Sequence, residues 1–267
     1  MKAFIVCIWI AAVGAVGLVA QAQQTTFEPR VGQPGKDVVW VPTPQALVDK
    51  MLDMAKITPQ DYLFDLGSGD GRTVITAAKR GTRAMGIEYE PDMVALSQRN
   101  AVSENVAARA TFQKADLFQS DFSQATVITM FLLPQINLEL RPKILDLKPG
   151  TRIVSNTFTM GEWEPDEKAT IPNCTQWCTA LLWIVPAKVQ GAWRSPQGDL
   201  ALTQTFQMLS GTLRSGATTT PITGGKVNAD QINFSAGSAT YAGRVSGDTI
   251  EGTITTGTTS SPWRASR

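Results

Sequence analysis

Four carboxylates stand at positions 65, 70, 88 and 116, and the first two bracket a glycine run, Asp65-Leu66-Gly67-Ser68-Gly69-Asp70-Gly71-Arg72. Glycine allows positive φ and lets a ligand approach the main chain closely. A phosphate cradle would join such a loop to a Lys or Arg and to amide donors. Carboxylates beside the loop repel phosphate. They suit a cation, or a ligand rich in hydroxyl and amine donors. Glu88, in Gly86-Ile87-Glu88-Tyr89, follows the loop by about twenty residues, the spacing at which an acid accepts hydrogen bonds from a ribose diol. Asp116, in Lys114-Ala115-Asp116-Leu117-Phe118, is placed to meet an adenine amino group, with Leu117 or Phe118 packing on the ring. The candidate ligand-binding residues are therefore Asp65, Gly67, Ser68, Gly69, Asp70, Glu88, Tyr89, Asp116 and Leu117. S-adenosylmethionine is a ligand of this description, with a sulfonium, an ammonium and a ribose diol. A dinucleotide fold would require G-x-G-x-x-G, and no third glycine falls in that register.

Strands and helices must alternate to position these acids. The apolar, β-branched stretches 62–66, 84–88, 110–114, 126–131 and 152–156 read as strands, and 72–80, 91–105 and 135–147 as helices. Strands separated by helices imply parallel pairing with right-handed crossovers. The loop then lies at the carboxyl end of the first strand, where open α/β sheets bind ligands. Ahead of it, Val41-Pro42-Thr43-Pro44 opens a helix with Thr43 as cap, Pro44 in the first turn, and an apolar face of Leu47, Val48, Met51, Leu52 and Ala55. The stretch 181–185 reads as one more strand, pairing antiparallel near the sheet edge, because the segment before it is too short for a crossover helix. Phe131, Pro134 and Trp163 are the candidates for an apolar acceptor channel, the first two in the turn after the fourth strand.

Composition removes several chemistries. The chain has 267 residues, 43% of them apolar, and a net charge of +1. That suffices for an ordinary core and gives no whole-chain field for nucleic acid. With no histidine, Ser-His-Asp and Cys-His catalysis and His-ligated metals are excluded, and no metal site is expected. Residues 1–22 read as a signal peptide: Lys2, an apolar run over 4–20, and an Ala20-Gln21-Ala22 cleavage site. The expected location is exported, periplasmic or otherwise extracytoplasmic. The alternative is an anchor formed by an uncleaved leader, in which case membrane association is expected. With Cys7 in the leader, Cys174 and Cys178 are left either as a disulfide or as two separate thiols.

Residues 23–40 read as an extended lead-in, 41–187 as the ligand-binding domain and 188–267 as a β-rich tail. Thr, Ser and Gly dominate the tail. Leu209-Ser210-Gly211, Val227-Asn228-Ala229 and Val245-Ser246-Gly247 recur at a spacing of 18. This suggests successive hairpins whose turns fall at those triplets, in a small meander or partial barrel closed by Trp193-Arg194 and Trp263-Arg264.

Residues 65–72 resemble motif I of the class I S-adenosylmethionine-dependent methyltransferases. Over 40–186 the sequence is similar to the protein-lysine methyltransferases of the ADP/ATP carrier and of the ATP synthase c-subunit, with their bacterial relatives. The resemblance rests on Val41-Pro42-Thr43-Pro44, the glycine loop, Gly86-Ile87-Glu88, Asp116-Leu117-Phe118, Leu133-Pro134 and Trp163-Glu164-Pro165-Asp166. It implies an α/β, Rossmann-like class I sheet with helices on both faces and S-adenosylmethionine held at Asp65, Gly67, Gly69, Glu88 and Asp116. It further implies methylation of a lysine on a protein substrate. The leader and the tail depart from the mitochondrial enzymes, so their substrates are not carried over. A small-molecule acceptor, or a non-catalytic S-adenosylmethionine-binding protein whose tail engages a partner, are the alternatives. Export would also require a supply of the cofactor outside the cytoplasm.

Overall fold

The computed structural model describes residues 27–267. The expected leader, its cleavage site, Cys7 and the first residues of the lead-in lie outside the described residues. None of the described helices is long and apolar enough to cross a membrane.

The first half is a seven-stranded sheet made of β1 (Tyr62–Leu66), β2 (Arg83–Glu88), β3 (Ala110–Lys114), β4 (Val127–Met130), β5 (Arg152–Asn156), β6 (Glu167–Thr170) and β7 (Thr179–Ile184). The spatial order is β3-β2-β1-β4-β5-β7-β6. Pairings among β1 to β5 are parallel, and β7 runs antiparallel to β5 and to β6. The helices are α1 (Gln45–Met54), α2 (Arg72–Lys79), α3 (Pro91–Ser103) and α4 (Pro134–Leu145). Side chains alternate between the sheet faces, as period two requires. Leu63, Val127, Val154 and Leu182 pack with α1 and α2. Phe64, Ile128, Ile153 and Trp183 pack with Ile136, Leu140 and Ile144 of α4. This is the expected two-faced α/β layer. The edge strand β6, polar and mostly exposed, was not anticipated, so the stretch at 181–185 lies one strand in from the edge.

Thr43 does not cap α1. Pro44 is the N-cap residue, without a side-chain cap bond. Thr43 instead accepts a hydrogen bond from Arg72 Nη1 at its carbonyl, 2.9 Å, and one from Asn156 Nδ2 at its hydroxyl, 3.3 Å.

The tail is a meander of consecutive antiparallel strands, closed into a full eight-stranded barrel instead of left partial. Its strands are β8 (Gly191–Ser195), β9 (Gly198–Thr205), β10 (Met208–Ser215), β11 (Thr218–Asn228), β12 (Gln231–Ala236), β13 (Ala239–Ser246), β14 (Thr249–Thr256) and β15 (Thr259–Ser266). β15 pairs with β8, bringing the Trp193-Arg194 and Trp263-Arg264 ends together, and closure removes free sheet edges. Trp193, Phe234, Tyr241 and Trp263 fill the interior. Two of the three spaced triplets end at hairpin turns, at Ala229 and Gly247. The first does not: Ser210-Gly211 lies inside β10, at an irregularity in its pairing with β11. A Cβ at Gly211 would stand 1.9 Å from the carbonyl oxygen of Ala201, so this glycine serves close strand approach.

Candidate active site

The carboxyl ends of β1, β2 and β4, the loop after β3 and the segment 33–43 enclose a cavity of about 230 Å³. The glycine loop forms its floor. Gly67 and Ser68 both donate their N–H to Ile87 O, at 2.9 and 3.0 Å, which ties the loop to β2. Gly69 has φ +55°, and a Cβ there would lie 2.7 Å from Trp40 Nε1. Gly71, at φ +82°, opens α2 against Phe112 and Ser97 with no room for a side chain. Glu88 accepts N–H bonds from Gly69 (2.8 Å), Tyr89 (2.8 Å) and Glu90 (3.0 Å). A carboxylate offers about four acceptor positions, so roughly one is left for a ligand hydroxyl.

The other acids differ in what faces them. Asp65 is buried and accepts a 2.6 Å hydrogen bond from Thr129 Oγ1. Burial pushes its carboxyl up to about 7. The Thr129 bond pulls the other way, and the charges of Asp70 and Glu88 push further up. Asp70 is gripped by Arg72, Oδ2 to Nη2 at 2.6 Å. Asp116 meets Lys36 Nζ at 2.9 Å and the Phe118 N–H at 2.9 Å; the Lys36 bond is the main reason its carboxyl is held below the ordinary range. Two of the four acids are thus matched by cations. The other two, Asp65 and Glu88, have no cation partner among the described residues and are the acids suited to a cationic or hydroxyl-rich ligand.

All nine candidate ligand-binding residues line this cavity or its mouth, Tyr89 and Leu117 included. Phe131 lines it as well. Pro134 does not: it is the first residue of α4, where its ring suits the helix start. Trp163 is fully buried away from the cavity. Its ring stacks on Phe206 of the barrel at 5.9 Å and its carbonyl accepts from Trp183 Nε1 at 2.6 Å. The bridge between Met160 and Trp163 folds this loop onto the sheet, so the indole seals the barrel interface instead of an acceptor channel.

Several wall residues were not among the candidates. The segment 33–43 is a strap rather than an extended lead-in: Pro34 bridges Val39, Trp40 lies on the glycine loop, and Lys36 reaches across to Asp116. Arg72 joins the loop to the strap through Thr43 O. Phe158 and Trp177 meet Phe131 at the mouth, with centroids 5.9 Å (Phe131–Phe158), 5.7 Å (Phe131–Trp177) and 5.2 Å (Phe158–Trp177) apart. Cys174 and Cys178 form a disulfide around Trp177. A tryptophan between two closely spaced cysteines was the one available sequence signal.

Residues 65–167 match the ANTKMT methyltransferase domain. A protein-lysine N-methyltransferase of Saccharolobus islandicus is 40% identical over 151 residues, 55% of this chain and 94% of that protein. The lysine N-methyltransferase of the ATP synthase c-subunit from Homo sapiens is 35% identical over 128 residues, 48% of this chain and 54% of that protein. The chain therefore spans nearly all of the first relative and about half the length of the second. A crystal structure described as an RNA methyltransferase from Salinibacter ruber, in complex with S-adenosyl-L-homocysteine, is 44% identical with a TM-score of 0.53, covering 56% of this chain and 96% of that one.

Proposed function

The chain belongs to the S-adenosylmethionine-dependent methyltransferase family of the ANTKMT domain, and on that premise we propose that it N-methylates a lysine side chain of a protein substrate. One observation carries this reading: β4 leads into Phe131-Leu132-Leu133-Pro134, an apolar turn without the Asn or Asp that would hold an amide or a nucleobase. The relatedness to protein-lysine enzymes supports it.

The cavity fits S-adenosylmethionine. At Gly69 a Cβ would collide with Trp40, so the strap indole packs directly on the loop backbone at this edge of the cavity. Ser68 Oγ is buried without a hydrogen-bond partner among the described residues. Glu88 would take a ribose hydroxyl, Asp116 the adenine amino group, and Asp65 with the loop amides the amino-acid end. When bound, the cofactor supplies an electrophilic methyl group on a sulfonium.

The protein's own contribution is orientation and dryness. Glu88 and the loop amides fix the donor, and aligned reactants gain several kcal/mol of the barrier from proximity. Met130 and Leu132 present apolar surface, which disfavours an ammonium and favours the neutral amine that can attack. No dedicated base is required, consistent with a chain that has no histidine.

In this reading the protein is exported. The Cys174–Cys178 disulfide supports a location outside the cytoplasm, because such bonds persist in oxidising compartments.

The purified protein, labelled S-adenosylmethionine and extracts from a deletion strain test the acceptor. Label in envelope proteins as methyl-lysine is the expected result. Label in RNA or in small molecules alone would replace the lysine reading. Calorimetry showing no binding of S-adenosylmethionine or S-adenosylhomocysteine would remove the enzyme reading altogether.

A further inference from the structure

We propose that Trp177, held in place by the Cys174–Cys178 disulfide, completes with Phe131 and Phe158 an aromatic cage that receives the acceptor's ammonium group. This rests on the amine-acceptor reading above and adds the residues that select it.

The three rings converge at the cavity mouth from different elements. Phe131 follows β4, Phe158 follows β5, and Trp177 stands in the turn between β6 and β7. Their centroids lie between 5.2 and 5.9 Å apart, and the Phe158–Trp177 and Phe131–Trp177 planes are tilted by 48° and 59°. The three rings thus touch one another without forming one flat stack. Aromatic faces attract cations within about 6 Å, and the attraction grows when water is excluded. Elsewhere among the described residues, six rings carry a Lys or Arg over their face: Tyr62, Phe118, Phe122, Tyr89, Trp193 and Phe206. The three rings of the mouth carry none among the described residues, although all three line the cavity. A cation-accepting surface is left open where an acceptor must enter. Passage from this mouth to the apolar surface of Met130 and Leu132 then strips water from the ammonium and promotes loss of its proton.

The disulfide positions Trp177. That residue sits at φ +57°, a conformation a bulky side chain rarely adopts unaided. The cysteines are four residues apart, and so small a ring constrains the unfolded chain little. Its effect is local: it holds the turn that presents the indole. Reduction by a dithiol would convert the S–S bond to two thiols as the dithiol becomes a disulfide, releasing that turn.

The test uses the full chain loaded with S-adenosylhomocysteine, titrated with n-butylammonium as a lysine side-chain mimic and with 1-butanol as its neutral counterpart. Affinity is read by ligand-observed NMR in every variant, and the place of binding by the Trp177 indole N–H signal of the parent, assigned by its absence in Trp177→Phe. A saturable Trp177 shift is expected, at an affinity several-fold tighter for butylammonium than for butanol. Trp177→Ala should weaken it about tenfold, Trp177→Phe by less. The Cys174→Ser/Cys178→Ser variant, or dithiol treatment, should weaken it several-fold while S-adenosylhomocysteine affinity stays unchanged. Equal affinity for butanol, no saturable shift in the parent protein, or an unaltered Trp177→Ala variant would overturn the cage. Loss of butylammonium binding in the serine variant accompanied by loss of S-adenosylhomocysteine binding would overturn the positioning role. Failure of the parent to bind S-adenosylhomocysteine would instead count against the methyltransferase reading.

Discussion

Asp65 and Glu88 both lack a cation partner among the described residues, yet they do different work. Glu88 accepts hydrogen bonds from three backbone N–H groups, so it shapes the loop before any ligand arrives. Glu88→Ala removes the acceptor for all three and any ribose contact. At about 1.5–3 kcal/mol for a hydrogen bond to a charged group, S-adenosylhomocysteine binding should weaken roughly 10- to 150-fold by calorimetry; unchanged affinity would refute the ribose assignment. Asp65 is a proton reservoir. Its carboxyl is raised from 3.8 to about 7 in the folded protein, so between those values the folded state holds more protons than the unfolded one. Stability therefore falls as pH rises through that window. Thermal melts of the ligand-free protein should drop toward pH 7 relative to Asp65→Asn, and a constant difference between the two would contradict the burial argument. A ligand ammonium favours the ionised form. Cofactor affinity should thus climb up to about pH 7 and level off above it, with the climb absent in Asp65→Asn.

At the scale of elements, the strap and the glycine loop are fitted to each other. Gly69→Ala meets two obstacles: a φ of +55° and Trp40 Nε1 at 2.7 Å. The left-handed backbone alone costs about 1–2 kcal/mol for an L residue. The single variant should lose that and the steric part, while Gly69→Ala/Trp40→Ala should recover only the steric part, read as a non-additive denaturation midpoint. The glycine loop, Glu88 and Asp116 were legible because each sits at the end of a strand whose apolar run announces it. β1, β3 and β5 begin and end where the sequence reading places them, at 62–66, 110–114 and 152–156. The strap was not legible, since its contacts are long-range: Lys36 and Asp116 are 80 residues apart in the chain, and no periodicity marks a segment held by single side chains. Trp163 and Pro134 misled for a related reason. An aromatic or a proline at a strand end has the same local signature whether it faces a ligand or a neighbouring element. In the tail, Ser210-Gly211 looks like a turn because glycine serves turns and tight strand crossings alike. Barrel closure through β8 and β15 joins the two ends of the tail and leaves no local trace.

The whole molecule is two cores joined by a specific seam. Phe206, at the β9–β10 turn, stacks on Trp163 and receives the Arg141 guanidinium at 5.2 Å. Gln207 Nε2 donates to Glu164 O at 2.8 Å, and Lys226 Nζ lies 3.0 Å from Asp166, which is only 8% exposed. Trp163 and Arg141 also anchor the loop that carries Phe158, since Arg141 Nη1 donates to Met160 O at 2.8 Å. The barrel thus buttresses one wall of the site through its seam. Phe206→Ala should cost about 1–3 kcal/mol, less than the 3–5 typical of a fully buried Phe→Ala because this ring is only partly buried. It should also uncouple the cores. Calorimetry of the parent should show one cooperative transition and the variant two, with the methyltransferase half melting earlier. S-adenosylhomocysteine affinity, governed by the far side of the cavity, should change less than binding of an amine at the Phe131–Phe158–Trp177 mouth. Two independent transitions in the parent protein, or equal loss at both ends of the cavity, would show that the seam does not carry this support.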